Sequence, residues 1–290
     1  MGLLSVVIIN YNTYELTCNC IASIYQCTRK IDFEIVLVDN GSIECDPQLF
    51  LTKFPDIKLV CSPINTGFAA GNNLGIRQSN GDAILLLNSD TELIEDSLSY
   101  CYEYLTSVPD QVVVTCKLVY PNGVVQHQCS RFPSVYLNLL ELSRVHKLLS
   151  DEKRSKLLLS SYFDNEISIE PDWIWGTFFM FKKDILVKLN NGKLDETFFM
   201  YCEDVKWCYD FKKLGVGISY LAGTKIIHHV GSSSSSELRI NNITKNELLF
   251  IQLTKGRIYK WFYAIIRAAN LLSTFSKANK QVAISLIKNI

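Results

Sequence analysis

Two adjacent carboxylates, Glu203 and Asp204, are the side chains best placed for acid–base chemistry in this chain. They open a predicted helix directly after an aromatic run, and an apolar wall there would desolvate a carboxyl group and tune it as a base. A simpler explanation is that acidic residues in the first turn of a helix interact favourably with the helix dipole. The residues alone leave both interpretations open.

Further candidates lie at the ends of predicted strands. Asp39 follows the apolar run 35–38, where a carboxylate can accept a hydrogen bond from the ring N–H of a pyrimidine base. Tyr11, at the end of a neighbouring strand, could stack on that base. The simpler interpretation makes Asp39 an ordinary turn carboxylate before Asn-Gly-Ser and Tyr11 a surface tyrosine.

A candidate cation site involves Asp90, which follows the apolar run 83–87, and His228, which ends another strand. A carboxylate there can hold a divalent cation whose other ligands are diphosphate oxygens and water. A neutral imidazole can also ligate a metal. Turn aspartates and structural histidines are nevertheless common, so neither residue decides the question by itself.

The segment 65–75 places glycines four residues apart where a helix begins. A helix N-terminus offers free N–H groups and a partial positive charge to an anion, and small residues allow a close approach. Close packing of the helix on a sheet explains the same pattern equally well. The spacing is not the GxGxxG pattern of dinucleotide sites.

These residues depend on an alternation of strands and helices. Short apolar, β-branched runs predict strands at 4–9, 34–38, 58–61, 83–87 and 112–116, with helical patterns between them. Such alternation is typical of an α/β fold with a mostly parallel central sheet and helices on both faces. Ligands bind beyond the carboxyl ends of the strands in such sheets, so we expect the polar strand ends to form one site.

The rest of the chain predicts an insertion and an extension. The pattern weakens at about 118–170, and a strand at 172–181, a helix at 201–214 and strands at 217–221 and 225–229 follow. Five serines then predict a flexible junction, and 246–272 predicts one long helix or two. We therefore expect a domain at 1–232 and a helical C-terminal extension at 233–290.

The formal net charge is zero, which argues against nucleic-acid binding. Residues 233–290 nevertheless hold nine Lys or Arg and two Glu, so the extension carries +7 and the remainder −7. Basic and apolar residues interleaved over 246–290 predict an amphipathic surface for an anionic membrane, or for packing on the domain or on a second subunit in a homodimer. No apolar run is long enough to span a membrane, and the first residues lack the features of a signal peptide. We therefore expect a cytoplasmic protein, which would lie at the inner face of the cell membrane if the extension binds lipid.

Seven motifs follow one another along the chain: VIINYN (7–12), VDNGS (38–42), NTGFAAGNN (65–73), LNSDT (87–91), WG (175–176), LDETFFMYCED (194–204) and IIHHVG (226–231). In this order they resemble the motifs of the family 2 glycosyltransferases, and the branch that they resemble most is the rhamnosyltransferase-like enzymes of bacterial surface polysaccharides. The similarity spans about residues 4–232.

The resemblance implies a GT-A fold and an inverting transfer of a hexose or deoxyhexose from a UDP- or dTDP-sugar, with GDP not strictly excluded. The acceptor would be a hydroxyl of a saccharide or lipid-linked saccharide in surface polysaccharide biosynthesis, and the cofactor Mn²⁺ or Mg²⁺. By position the resemblance implies that Asp204 is the general base, supported by Glu203. It implies a metal site of Asp90 and His228, and a sugar or acceptor wall of Trp175 and Gly176. The implied donor nucleotide site consists of Asn10, Tyr11, Asp39, Asn65, Gly67, Asn73 and Asp90.

Two positions depart from the family pattern. Asn88 stands where the metal motif has an Asp, and Lys206 follows the acidic pair where relatives continue differently. Both departures motivate an alternative, a nucleotide-binding scaffold that is catalytically weak or inactive. A nucleotidyltransferase is disfavoured, because residues 10–17 contain no Gly, Lys or Arg to bind a triphosphate.

Overall fold

The computed structural model describes residues 2–109, 111–229, 236–274 and 276–290. The chain forms two compact units. The sheet unit comprises Met1–Cys129 and Asp164–Gly231, and the helical unit comprises Ser130–Phe163 and Ser232–Ile290. Four of the five serines that predict a flexible junction lie outside the described residues, so that expectation stays a prediction.

The sheet unit is built on one mixed sheet. Its strands are β1 (Leu3–Asn10), β2 (Asp32–Asn40), β3 (Lys58–Ser62), β4 (Ala83–Asn88), β5 (Thr91–Leu93), β6 (Val112–Val119), β7 (Phe178–Lys182) and β8 (Gly217–His228). Among the described residues the strand order is β3-β2-β1-β4-β7-β6-β8-β5, and β3, β2, β1 and β4 are mutually parallel. The predicted α/β class with a mostly parallel sheet is confirmed.

Helices cover both faces of this sheet because successive side chains of a strand point to opposite sides. The helices are α1 (Tyr14–Cys27), α2 (Gln48–Lys53), α3 (Phe68–Gln78), α4 (Ser97–Ser107) and, later in the chain, α7 (Glu203–Lys213). In β1, Val6 and Ile8 join a core cluster with Ile21 and Ile24 of α1. Val7 faces the other side, where a Cβ at Gly75 of α3 would lie 2.4 Å from its Cγ1.

The close approach at Gly75 supports the packing interpretation of the regularly spaced glycines. A Cβ at Gly71, one turn earlier, would lie 3.3 Å from the side-chain nitrogen of Asn40 in β2. Both glycines therefore let α3 sit close on the sheet, which a larger residue would prevent.

Three predicted elements have different bounds in the structure. The strand predicted at 172–181 is shorter, Phe178–Lys182, and the three-residue β5 was not predicted. The two strands predicted at 217–221 and 225–229 form one strand, β8. Gly223 lies within β8, and a Cβ there would lie 2.3 Å from the Tyr100 hydroxyl oxygen of α4. The glycine allows this close contact and does not end the strand.

The helical unit contains α5 (Val135–Leu142), α6 (Asp151–Leu158), α8 (Ser236–Lys255), α9 (Arg257–Leu272) and α10 (Lys277–Lys288). Gly256 separates α8 from α9 with φ of +92°, a conformation that favours glycine, so two helices form where one or two were predicted. The unit holds 15 Lys or Arg and five Asp or Glu, which gives it a formal charge of +10 and the sheet unit −10. Across the described residues, no helix combines the length and apolar character needed to cross a membrane.

Candidate active site

The carboxyl ends of β1 and β2 hold Asn10 and Asp39 as register partners. Asn10 Nδ2 donates to Asp39 Oδ2 at 2.8 Å, and the Ser42 backbone N–H donates to Asp39 Oδ1 at 3.1 Å. Asn10 Oδ1 in turn accepts from the Thr17 hydroxyl at 3.0 Å, so the amide is fixed. Asn10 thus orients a carboxylate whose residue is 2% exposed, while Tyr11 beside it is 44% exposed.

The Ser42 bond is the one expected of a turn carboxylate, and the same geometry is also compatible with a planar ligand. A carboxylate can accept about four hydrogen bonds, so Asp39 retains capacity for a donor from outside. The exposed ring of Tyr11 follows Asn10 directly and offers a face for stacking. The roles of Asn10, Tyr11 and Asp39 toward a nucleotide stay predictions.

The loop before α3 is fastened to the acidic segment 194–204. Asn65 Oδ1 accepts from the Gly67 N–H at 2.9 Å and from Asn40 Nδ2 at 3.1 Å. Gly67 has φ of +85°, and a Cβ there would lie 2.5 Å from the Phe199 carbonyl oxygen. That carbonyl accepts from the Phe68 N–H at 2.9 Å. The first N–H of α3 is therefore used by the protein.

Asn73 makes a second connection to the same segment. Its Nδ2 donates to the Leu194 carbonyl at 2.9 Å and to Glu196 Oε1 at 2.8 Å, and its Oδ1 accepts from the Leu194 N–H at 3.1 Å. The side chain is buried, so in this structure Asn73 supports residues 194–196. Its predicted contact with a nucleotide, like those of Asn65 and Gly67, stays a prediction.

Asp90 and His228 come together across the β5–β8 pair. Thr91 of β5 pairs with His228 of β8, and the His229 N–H donates to the Asp90 carbonyl at 2.8 Å. His228 Nε2 then lies 3.4 Å from Asp90 Oδ1. On its other side, His228 Nδ1 lies 2.7 Å from Oε1 of Gln126, a residue that sequence reasoning missed.

These side chains fit a divalent cation with few protein ligands. Within the described residues no group of three or more His, Cys, Asp or Glu side chains could hold a metal. Asn88, at the end of β4 and two residues before Asp90, has a buried Oδ1 without a hydrogen-bond partner. A carboxylate, an imidazole and an amide oxygen are ligands that Mg²⁺ or Mn²⁺ accepts when phosphates and water complete the shell.

The acidic pair opens α7 after two strained residues. Tyr201 and Cys202 have φ of +70° and +74°, which non-glycine residues rarely adopt. Asp204 Oδ1 accepts from the Val205 N–H at 2.8 Å, and Oδ2 accepts from the Gly176 N–H at 3.2 Å. Strain next to buried carboxylates is common at functional sites.

Burial gives the two carboxyl groups different proton affinities. Desolvation raises the pKa of Asp204 to about 6, although the backbone N–H groups of Val205 and Gly176 oppose the rise. Desolvation, and then the charge of Asp204, raise the pKa of Glu203 well above its ordinary value. Glu203 Oε2 is buried without a hydrogen-bond partner. The smaller rise for Asp204 indicates that it ionises before Glu203, and the catalytic roles of both residues stay predictions.

Trp175 and Gly176 connect Asp90 and His228 to Asp204. The Trp175 ring packs against the His228 ring at 6.4 Å between centroids and 70° between planes. The next residue, Gly176, donates its N–H to Asp204. A Cβ at Gly176 would lie 3.1 Å from the Phe68 ring, so the chain approaches α3 closely here. A continuous series of contacts thus runs from Asp90 through His228, Trp175 and Gly176 to Asp204.

Lys206, one of the two departures from the family pattern, is neutralised locally. Its Nζ lies 2.5 Å from Asp210 Oδ2 and 3.3 Å from Asp195 Oδ2. Two carboxylates around one ammonium raise the pKa of Lys206 against the opposing effect of burial. The lysine therefore adds no uncompensated positive charge beside the acidic pair.

Comparison with known proteins identifies the family. The family model "Glycosyl transferase family 2" matches residues 5–189. The chain belongs to this family. It is a family 2 glycosyltransferase, as the motifs predicted, and its relatives include hexosyl- and rhamnosyltransferases.

Two curated relatives illustrate the similarity of the glycosyltransferase. It is 26% identical over 231 residues to a low-salt glycan biosynthesis hexosyltransferase of Haloferax volcanii, an alignment covering 78% of this chain and 67% of that protein. It is 22% identical over 249 residues to the N-acetylglucosaminyl-diphospho-decaprenol L-rhamnosyltransferase of Mycobacterium tuberculosis, covering 80% of this chain and 78% of that protein.

A solved structure supports the fold. The mannosyltransferase of Pyrobaculum calidifontis, in complex with GDP-Man and Mn²⁺, superposes with a TM-score of 0.59 at 15% identity, covering 99% of this chain and 74% of that one. The predicted GT-A fold is therefore confirmed.

Proposed function

We propose that the enzyme transfers a hexose or deoxyhexose from a UDP- or dTDP-sugar, with inversion at the anomeric carbon, to a hydroxyl of a saccharide or lipid-linked saccharide in surface polysaccharide biosynthesis. Residues 1–232 would carry this activity. The observation that supports it most is the series of contacts that links Asp90 and His228 to Asp204 through Trp175 and Gly176. Inverting transfer needs a cation near the diphosphate and a base near the acceptor.

Asp204 would act as the base. Its carboxylate takes the proton of the acceptor hydroxyl as that oxygen attacks the anomeric carbon and the bond to the diphosphate oxygen breaks. The N–H groups of Gly176 and Val205 hold the two carboxylate oxygens in place, so that the carboxylate has a fixed orientation toward the acceptor. Glu203, kept protonated by burial and by its neighbour, leaves Asp204 as the only charge of the pair.

Asp90, His228 and Asn88 would hold Mn²⁺ or Mg²⁺ together with the donor diphosphate. When bound, the cation stabilises the negative charge that develops on the departing diphosphate. The neighbouring Trp175 and Gly176 would line the sugar. Asp39, oriented by Asn10, would accept the N–H of the base, with Tyr11 stacked beside it.

A donor panel tests this function. The enzyme is mixed with UDP-, dTDP- and GDP-sugars, with and without MnCl₂, and its thermal stability is measured. Release of nucleoside diphosphate is then measured with saccharide acceptors and with undecaprenyl-diphosphate-linked sugars. A bound ligand raises apparent stability by mass action. We expect stabilisation by UDP- or dTDP-sugars and acceptor-dependent release of UDP or dTDP. Stabilisation by a donor without release of nucleoside diphosphate for any acceptor would favour the inactive scaffold. If the donors produce neither stabilisation nor release, nucleotide binding is contradicted.

We further propose that the C-terminal helices bind an anionic membrane surface. Helix α9 exposes an apolar stripe made of Ile258, Trp261, Phe262, Ile265 and Leu272, with Ile258 78% exposed. Tyr263, Ala264 and Ala268 of the same helix are buried. The formal charge of +10 on the helical unit is complementary to anionic lipid headgroups, and the exposed apolar stripe is complementary to the acyl layer beneath them. A lipid-linked acceptor would make such binding useful.

Flotation with liposomes tests this surface. We expect the protein to float with vesicles containing about 30% phosphatidylglycerol, and the double substitution Trp261→Ser, Phe262→Ser to reduce the floated fraction several-fold because it removes the largest apolar contacts. The matched control replaces two exposed apolar residues of the sheet unit, Ile43→Ser and Val187→Ser. Equal flotation of both double variants would contradict the proposal, and a change only in oligomeric state would assign the stripe to a homodimer.

A further inference from the structure

Gln126 reaches His228 through a hairpin that follows β6. The segment Tyr120–Val124 turns back on itself: the Gly123 N–H donates to the Tyr120 carbonyl at 2.8 Å, and the Tyr120 N–H donates to the Val124 carbonyl at 2.8 Å. The Gln126 N–H then donates to the Leu118 carbonyl at 2.9 Å, which fixes the backbone of Gln126 against β6. Since β6 pairs with β8, the side chain lies beside His228.

The side-chain amide of Gln126 makes two bonds to the same residue. Its Nε2 donates to the His228 backbone carbonyl at 2.8 Å, and its Oε1 lies 2.7 Å from His228 Nδ1. Gln126 is 2% exposed and His228 6% exposed, so water does not replace either bond readily. The edge contact with Trp175 further restricts the imidazole ring.

These two bonds determine which ring nitrogen carries the proton. A backbone carbonyl can only accept, so the NH₂ group of Gln126 must face it, and Oε1 must face the ring. Oε1 also only accepts, so Nδ1 must be the donor. In the neutral ring Nε2 then presents its lone pair toward Asp90 Oδ1, 3.4 Å away. Because Nδ1 is bonded to Gln126, Nε2 is the ring nitrogen that would bind a cation shared with Asp90.

We propose that Gln126 is a positioning residue that holds His228 as the Nδ1–H tautomer, with Nε2 directed at the cation shared with Asp90. The proposal rests on the cation role of His228 in the proposed function. Partners that fix the tautomer and orientation of a metal-ligating histidine typically change metal affinity 10- to 100-fold when mutated, which is about the size of effect that we expect.

Three variants separate positioning from a merely structural contribution. Gln126→Met keeps the size and apolar packing of the side chain but removes both bonds. Gln126→Glu keeps an acceptor for the Nδ1 proton and loses only the donor to the backbone. The matched control is Gln128→Met, two residues along, because Gln128 is equally buried and bonds to the Cys116 carbonyl and the Thr115 hydroxyl instead.

Two measurements read out the result. The tautomer of His228 is read in metal-free protein from the ¹⁵N shifts of histidine-labelled samples, assigned with His228→Asn. Binding of MnCl₂ alone is measured by electron paramagnetic resonance. We expect wild type, Gln126→Glu and Gln128→Met to show the Nδ1–H tautomer, and Gln126→Met to lose it and to bind Mn²⁺ about tenfold more weakly or worse.

The outcomes distinguish this inference from the proposed function. An unchanged tautomer and an unchanged Mn²⁺ affinity in Gln126→Met would overturn the positioning role, as would an equal loss in Gln128→Met. If Gln126→Met loses the tautomer but wild type shows no Mn²⁺ binding and no metal-dependent turnover, the positioning role stands and the proposed metal role fails.

Discussion

Replacing Asp204 with Asn is expected to lower turnover by about 10²–10⁴-fold, the usual contribution of general-base assistance, while donor binding is retained. The amide keeps the shape of the side chain and can still accept the Gly176 N–H, but it cannot take a proton from the acceptor. Steady-state kinetics give the turnover, and thermal shift with the donor gives binding.

The pH profile offers a second readout of the same residue. Because burial raises the pKa of Asp204 to about 6, the base loses its charge as the pH falls through that value. We expect kcat/KM to decline about tenfold per pH unit below about 6 and the decline to disappear in Asp204→Asn. The control is Asp210→Asn on the same helix, which faces Lys206 and should keep near-normal turnover. Near-normal turnover in Asp204→Asn would remove Asp204 from the mechanism.

Replacing Asp90 with Asn should have an effect of similar size. Asn88 already stands where the family has an acid, so Asp90 supplies the carboxylate at this strand end. A cation contributes several kcal/mol of charge stabilisation in such reactions, and each 1.36 kcal/mol is tenfold in rate. We therefore expect metal-stimulated turnover to fall by about 10²–10³-fold, measured over a MnCl₂ titration.

The matched control for Asp90 is Glu92→Gln on the neighbouring β5. Glu92 Oε1 lies 3.1 Å from His229 Nε2, so this variant disturbs a similar carboxylate–imidazole pair that is not part of the proposed cation site. Turnover in Glu92→Gln should stay close to normal. If Asp90→Asn keeps its full response to MnCl₂, Asp90 does not hold the cation.

Much of the fold could be predicted because its signals are local. Apolar, β-branched runs that end in polar residues mark β1, β2 and β4, and parallel pairing then places their ends together, as the Asn10–Asp39 register shows. The long helical pattern at 246–272 was ambiguous, since periodicity alone does not say whether the glycine at 256 interrupts it. Its positive φ, visible only in the structure, decides for two helices.

The contacts that orient the site could not be predicted, because they join residues far apart in sequence. Asn73 bonds to Leu194 and Glu196 across more than a hundred residues, and Gln126 is 102 residues from His228. The sequence Pro121-Asn122-Gly123 is typical of a turn, and a hairpin there would place the residues after it beside β6. No local pattern shows which side chain of that hairpin faces a histidine on β8.

The buried acidic pair has a consequence for the thermal stability of the enzyme. Glu203 and Asp204 bind protons more tightly in the folded chain than in the unfolded chain, so their stabilising contribution is complete below their unfolded pKa values and is lost as the pH rises through the raised ones. We therefore expect the thermal stability of the protein to fall as the pH rises through the raised pKa values of this pair. Calorimetry of Glu203→Gln should show a higher Tm than wild type at pH 8 and a smaller difference at pH 5. An equal difference in Tm at both pH values would show that the acidic pair does not lower stability at high pH, and would contradict a cost in stability for keeping this pair in the fold.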